Sequence, residues 1–313
     1  MKNIVVLGGF GFIGSVLVSD LLLSGNKVKV IDIGWFGQHT AAHENLEILL
    51  KDVRHIDESD LCGFETVIHL ANIANDPGVD LDPVLSWEVN VLAAQRIAES
   101  CLEAGVKQLI YASSGSVYGI KDEEHVTEDL SLVPISVYNK TKMVAERVLL
   151  SYRDSMTIHC VRPATVCGCS PRMRLDVSVN LLTHQALSKG VLTVLGGMQV
   201  RPNINIKDIS RVFMHLLENP EIESGCYNAG FENLTIMEIA QLVCDFVPAS
   251  IDVKNSNDPR SYRLCSDKLL QVGFAPQFGV RDAIETIVQW YHDGKYTESD
   301  QCYTVKTMKN LRL

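Results

Sequence analysis

The 313 residues hold nine cysteines but no Cys-x-x-Cys spacing, no run of lysine and arginine, and no apolar stretch near the ~18 residues of a membrane span. The first absence excludes a zinc ribbon or a dithiol redox pair, and no metal ligand set is expected. Cys167-Gly-Cys169 is the only close pair, and the scattered remainder reads as free thiols acting as small buried hydrophobes in a reducing cytosol. The second absence, with 28 basic against 38 acidic residues and a net charge of −10, excludes nucleic acid and anionic membrane as partners. The third, with an N-terminal apolar run that stops at Gly8-Gly9, too short for a signal peptide core, leaves the expectation of a soluble cytoplasmic protein. What is present is a globular composition, 46% apolar and 21% charged. The length suits one large domain or two interleaved ones.

Short β-branched runs alternate with helical patterns through the first half. The spacing predicts strands over Asn3–Leu7, Val28–Ile31, Leu46–Leu50, Thr66–Leu70, Gln108–Ala112 and Thr157–Val161. Helices are predicted over Ile13–Leu23, near Pro83–Glu103 and from about Tyr138. Val/Ile/Leu-rich strands without strict alternation suit a parallel sheet buried on both faces, and the rhythm is that of a doubly wound α/β fold. After Pro163 the pattern changes to a Cys/Gly/Ser/Arg-rich loop, short strands and helices near 176–188, 208–217, 235–246 and 280–292. The expected division is residues 1–165 plus about 207–230 as the nucleotide-binding domain, and about 166–206 with 231–293 as a smaller substrate-binding lobe. Residues 294–313 read as a polar tail.

Gly8-Gly-Phe-Gly11-Phe12-Ile13-Gly14 lies between a predicted strand and a predicted helix, where a phosphate-binding turn belongs. Glycine there permits a tight turn, close backbone approach to a pyrophosphate and close helix packing, and the helix N-terminus offers free N–H groups. Gly8, Gly11, Phe12 and Ile13 are therefore the expected cofactor contacts. Asp32 ends the second strand, 18 residues beyond Gly14, where its carboxylate can accept both ribose hydroxyls. That charge would repel a 2′-phosphate, and no arginine follows in Ile33-Gly34-Trp35-Phe36, so NAD is expected over NADP. Asp52-Val53, past the third strand, could meet the adenine amino group.

Tyr138 and Lys142 are four apart on one helical face. A neighbouring ammonium, with the positive nicotinamide of NAD⁺, favours the phenolate and can carry a phenol from near ~10 toward neutral pH, which makes Tyr138 a usable base. Ser114 and Ser116, in Ser113-Ser114-Gly115-Ser116-Val117-Tyr118-Gly119, follow the fifth strand at the sheet edge where ligands bind. Ser114 can hold a substrate hydroxyl while Tyr138 removes its proton.

Taken in order, the glycine turn, Asp32, the Ser-Ser-x-Ser-Val-Tyr-Gly segment and Tyr138-x-x-x-Lys142 resemble extended short-chain dehydrogenases/reductases of the nucleotide-sugar epimerase/dehydratase group, over residues 1 to about 293. The resemblance implies a Rossmann domain, tightly held NAD and a C-terminal lobe for a nucleoside-diphosphate sugar. It implies Ser114, Tyr138 and Lys142 as the catalytic triad, Asn90 as a structural and cofactor-near residue, and Leu70 and Ala71, after His69, as cofactor-lining. It further implies Asn180 near a substrate diphosphate, and Arg201 and Arg260 as phosphate ligands. The segment here reads Arg201-Pro-Asn-Ile-Asn-Ile where the family often carries Arg-Asp-Tyr-Ile-His-Val. A homodimer through helices near 85–103 and 138–152 is also implied.

Sugar 4,6-dehydratases of that group need an Asp-Glu pair where this chain has Gly115-Ser116, so dehydration is not expected. Ser170-Pro-Arg172-Met-Arg174-Leu-Asp176 resembles a stretch of bacterial surface-sugar enzymes, including GDP-heptose 4-dehydrogenases, and would set Arg172 and Arg174 at the substrate entrance. Three readings follow. The first is an NAD-dependent 4-epimerase acting by hydride transfer at C4 of a nucleoside-diphosphate sugar in surface glycan synthesis. The second is a 4-dehydrogenase or 4-ketoreductase with net redox change, and the third a catalytically idle NAD-binding protein.

Overall fold

The computed structural model describes residues 1–256 and 261–312. Seven strands form one parallel sheet: β1 (Asn3–Leu7), β2 (Lys27–Asp32), β3 (Leu46–Leu50), β4 (Thr66–His69), β5 (Gln108–Ala112), β6 (Thr157–Pro163) and β10 (Gly225–Ala229). Their order is β10-β6-β5-β4-β1-β2-β3, with Val6 beside both Val30 and Ile68 in the central register. β4 and β5 are buried along their whole length because helices cover both faces, which is why these strands read as unbroken apolar runs. The order reverses between β1 and β4, so a crevice opens at their carboxyl ends, the usual ligand position in such sheets.

On one face lie α1 (Gly14–Leu23) and the later α5 (Ile206–Glu218), packed through Leu17, Leu21, Val212 and Phe213. The other face is covered by a helical stretch and by α3 (Val137–Leu150). That stretch runs as α2 (Pro83–Trp87), a π-turn over Glu88–Leu92, and a continuation over Ala93–Glu103. Behind the crevice, Arg162 and Glu146 form a buried bidentate ion pair at 2.9 and 2.8 Å. Arg162 also donates to the Tyr118 hydroxyl, which donates to Asn228, tying β6, α3 and β10 together.

The second lobe contains β7 (Thr165–Cys167), α4 (Ser178–Lys189), β8 (Val191–Leu195), β9 (Val200–Asn205), β11 (Glu232–Thr235), α6 (Ile236–Phe246), β12 (Ser250–Lys254) and α7 (Val280–His292). Its core gathers Leu182, Ile239, Val243 and Ile284. The segment expected as a polar tail carries a helix of its own. A short α8 (Thr304–Asn310) buries Thr304, Thr307 and Met308, and Met308 packs beside Gly78, next to the crevice. Backbone bonds from Leu175 N to the Cys302 carbonyl and from Thr304 N to the Asp176 carboxylate dock it. A seven-residue helix anchored by threonines and one methionine leaves no apolar periodicity to read.

Candidate active site

The cofactor side of the crevice is built from the turn after β1. A Cβ on Gly8, whose φ is +83°, would lie 2.5 Å from the Ala71 nitrogen, and one on Gly14 would overlap the Gly8 carbonyl oxygen. The turn can therefore pass against β4 and α1 only as glycine. Gly8, Gly11, Phe12 and Ile13 line the crevice, and the N–H groups of Phe12 and Ile13 make no hydrogen bond among the described residues. Two free donors at the head of a ten-residue helix fit an anionic diphosphate. The second lobe reinforces this turn: Ser170 Oγ donates to the Phe12 carbonyl at 2.7 Å and shares a 2.8 Å bond with Ser15.

Asp32 borders an adjoining chamber with Ile33, Trp35, Phe36, Leu70 and Ala71. Its oxygens accept from Phe10 N at 3.0 Å and Gly34 N at 2.8 Å. Burial pushes its pKa up, against the pull of those two bonds. The carboxylate is thus fixed at the end of β2, with lone pairs left for a ribose. Asp52 and Val53 border the same chamber. The Asp52 carboxylate, however, is held by Arg54, through the backbone N–H at 2.9 Å and the guanidinium at 2.8 and 3.0 Å, which compete with the expected adenine contact. Asn90 lies beneath the lining. Its amide exchanges hydrogen bonds with both backbone groups of Ile73 and donates to Thr141, pinning the loop after β4 to α3.

Ser114, Ser116, Tyr138 and Lys142 line the same crevice as the glycine turn. Ser114 caps a 3-10 turn and shares a 2.7 Å hydroxyl contact with Ser116, which donates to Asn139 Oδ1 at 2.7 Å. Asn139 is buried and was not singled out by the sequence reasoning; one residue past Tyr138, it sits about 100° around the helix, behind the serines. Lys142 Nζ donates to the Ala112 carbonyl at 2.7 Å, 4.8 Å from the centre of the Tyr111 ring and 5.8 Å from that of Tyr138.

Among the protein's own groups, the balance at Tyr138 runs against ionisation. Burial pushes the phenol up to about 12, although the nearby Ser114 hydroxyl pulls the other way. Burial likewise pushes Lys142 down to about 7, against the pull of Glu146. Both groups resist charge because the crevice is lined by protein rather than water, and a charge needs a partner there. His69, under Lys142, is buried with neither ring nitrogen hydrogen-bonded and is driven down to about 3, hence neutral.

In the second lobe, Arg172, Arg174 and Arg201 line the crevice. Arg174 pairs with Asp176 at 2.8 Å, and Arg201 donates to the Val200 carbonyl at 3.2 Å. Asn180 does not face the crevice. Its amide is consumed by both backbone groups of Gly168 and by the Arg174 carbonyl, so it shapes the arginine loop from inside. Arg260 lies outside the described residues.

A parallel sheet with a glycine turn, a strand-end carboxylate bordering the adjoining chamber and a Tyr–Lys pair at its switch point defines a dinucleotide-dependent α/β enzyme. The sequence profile described as "NAD dependent epimerase/dehydratase family" matches residues 4–230, and the chain belongs to that family. The protein is accordingly an NAD-dependent enzyme. It is 27% identical to a UDP-glucose 4-epimerase of Lactobacillus helveticus, over 92% of this chain and 97% of that one. It is 33% identical to an uncharacterized UDP-glucose epimerase, YtcB, of Bacillus subtilis, over 78% and 81%. The structure of MoeE5 with UDP-glucuronic acid and NAD superposes with a TM-score of 0.85 at 26% identity, covering 94% of this chain and all of that one.

Proposed function

We propose that the protein is a nucleotide-sugar 4-epimerase, with Ser114, Tyr138 and Lys142 as its reacting and positioning groups. The observation that carries this is the shared crevice: the serine hydroxyl, the phenol and the lysine border the same space as the glycine turn and Asp32's chamber. Bound NAD supplies the hydride acceptor and donor. Ser114 holds the C4 hydroxyl of the sugar, and Tyr138 takes the proton from that oxygen and returns it. Lys142 supplies the positive charge that offsets the phenolate. Its ammonium must turn from the Ala112 carbonyl toward the ribose and phenol, a change of hydrogen-bond partner rather than of backbone.

Gly115 and Ser116 stand beside Ser114 and offer no proton exchange near neutral pH, so the site has no acid there to expel a hydroxyl. The diphosphate of the substrate falls to Arg174 and Arg201. The epimerase relatives favour UDP as the nucleoside carrier. A dimer through the α2 stretch and α3 is part of this reading, supported by the exposed Val84 and Leu92. So is a cytosolic location, supported by nine cysteines that are all free thiols.

The test is incubation with UDP-glucose and UDP-galactose without added NAD, with chromatographic separation of the isobaric products. Many turnovers in both directions support the epimerase. A single turnover that stops until a second redox substrate is added makes it a dehydrogenase or ketoreductase instead.

A further inference from the structure

Among the described residues Arg172 is a buried cation with no ion-pair contact. Only 4% of it is exposed, yet among the described residues no carboxylate lies within ion-pair distance. Asp176, the nearest acid in sequence, gives one oxygen to Arg174 and the other to the Thr304 N–H. The guanidinium lies 4.0 Å from the centre of the Phe36 ring, and its Nη2 donates to Thr304 Oγ1 at 3.2 Å. Among the described residues its Nε has no hydrogen-bond partner. Burial and the neighbouring Arg174 charge push this guanidinium down to about 9. An unpaired buried cation is costly unless an anion completes it.

The surroundings select which anion. Phe36 follows Asp32 by four residues and borders both the crevice and the Asp32 chamber, so Arg172 is stacked on the adenosine side of the site. Two residues before it, Ser170 is bonded to the Phe12 carbonyl, which fixes this loop to the glycine turn. Phe12 and Ile13 present their free N–H groups there. A guanidinium fork lining the same crevice as two unbonded amides suits a diphosphate.

Building on the NAD-dependent reading, we propose that Arg172 is a ligand of the dinucleotide's diphosphate, not of the sugar nucleotide, and that Thr304 of the C-terminal helix orients it. The second lobe and α8 then help to retain the cofactor rather than only to cover the sugar. Arg174, already neutralised by Asp176, is left to the substrate side.

The experiment uses the full-length protein stripped of nucleotide, with NAD, adenosine and UDP titrated calorimetrically. Arg172→Met keeps the contact with Phe36 and removes the charge. It should weaken NAD about 10- to 100-fold, the range for a hydrogen bond to a charged group. Adenosine and UDP, which lack the dinucleotide's diphosphate, should bind within twofold of wild type. Thr304→Val should weaken NAD several-fold with the same selectivity. NAD affinity unchanged in Arg172→Met, a loss of UDP in place of NAD, or an equal loss of adenosine would each overturn the assignment. Should Arg172→Met fail to fold, Arg172→Lys carries the same comparison, since it keeps a charge and loses the fork. A wild-type protein that binds no NAD would defeat the functional reading itself, whereas NAD held normally by the variants would defeat only this one.

Discussion

Lys142 points its ammonium at the carbonyl of Ala112, 2.7 Å away, with the ring of Tyr138 at 5.8 Å. The pair predicted from four-residue spacing is present on one helix, but in this state the lysine is engaged by the strand beneath it. Two predictions follow from how these groups are buried.

Tyr138→Phe removes the proton acceptor and leaves the ring. Turnover should fall by about 10²–10⁴, the usual weight of a positioned acid/base group. Bound NAD, read from the absorbance of the purified protein, should stay at the wild-type level. Wild-type turnover in the variant would strip Tyr138 of its role.

Lys142 titrates near about 7 when folded and at 10.5 in its ordinary state. The unfolded chain therefore binds the extra proton between those values, and stability rises with pH across that window. Below pH 7 both states hold the proton and the burial penalty is complete. Relative to Lys142→Met, the nucleotide-free wild type should gain about 1.4 kcal/mol per pH unit from pH 7.5 to 9. Urea unfolding at several pH values measures this, and parallel curves for the two proteins would contradict it.

Asp32 is held by Phe10 N and Gly34 N with its charge facing the chamber. Wild-type protein should prefer NAD to NADP by about 100-fold or more, since like charges brought together cost several kcal/mol. Asp32→Ser should shrink that ratio mainly by admitting NADP. Competition binding decides it, and an unchanged ratio would show that the carboxylate does not meet the ribose.

The Glu146–Arg162 pair is 2% and 4% exposed on its two side chains. Glu146→Ala leaves a buried guanidinium unpaired and should destabilise the protein by about 3–5 kcal/mol. Thermal or denaturant unfolding is the readout, and a loss under 1 kcal/mol would mean that the pair is solvated when the protein breathes.

What could be read ahead of the structure was local in sequence. The glycine turn, Asp32, Ser114 and the Tyr138–Lys142 spacing each lie within one short strand–turn–helix segment, so their chemistry shows in a window of a few residues. What could not be read depends on distant partners. Asp52 looks like a free acceptor until Arg54 folds onto it, and Asn180 looks like a ligand until the Gly168 backbone consumes its amide. The phenol's acidity could not be read either, because a spacing argument counts the nearby charge and not the desolvation of both partners. The docking of α8 rests on Asp176, Arg172 and Gly78, more than a hundred residues upstream, which no periodicity can announce.

Ser15 and Ser170 stand 155 positions apart and share one hydroxyl contact at the head of α1. During synthesis the glycine turn therefore emerges long before the loop that braces it, and a nascent chain shorter than about 170 residues has the sheet's floor without its ceiling. If that brace is needed for tight nucleotide capture, free dinucleotide should slow unfolding of the finished protein and leave the early collapse rate untouched.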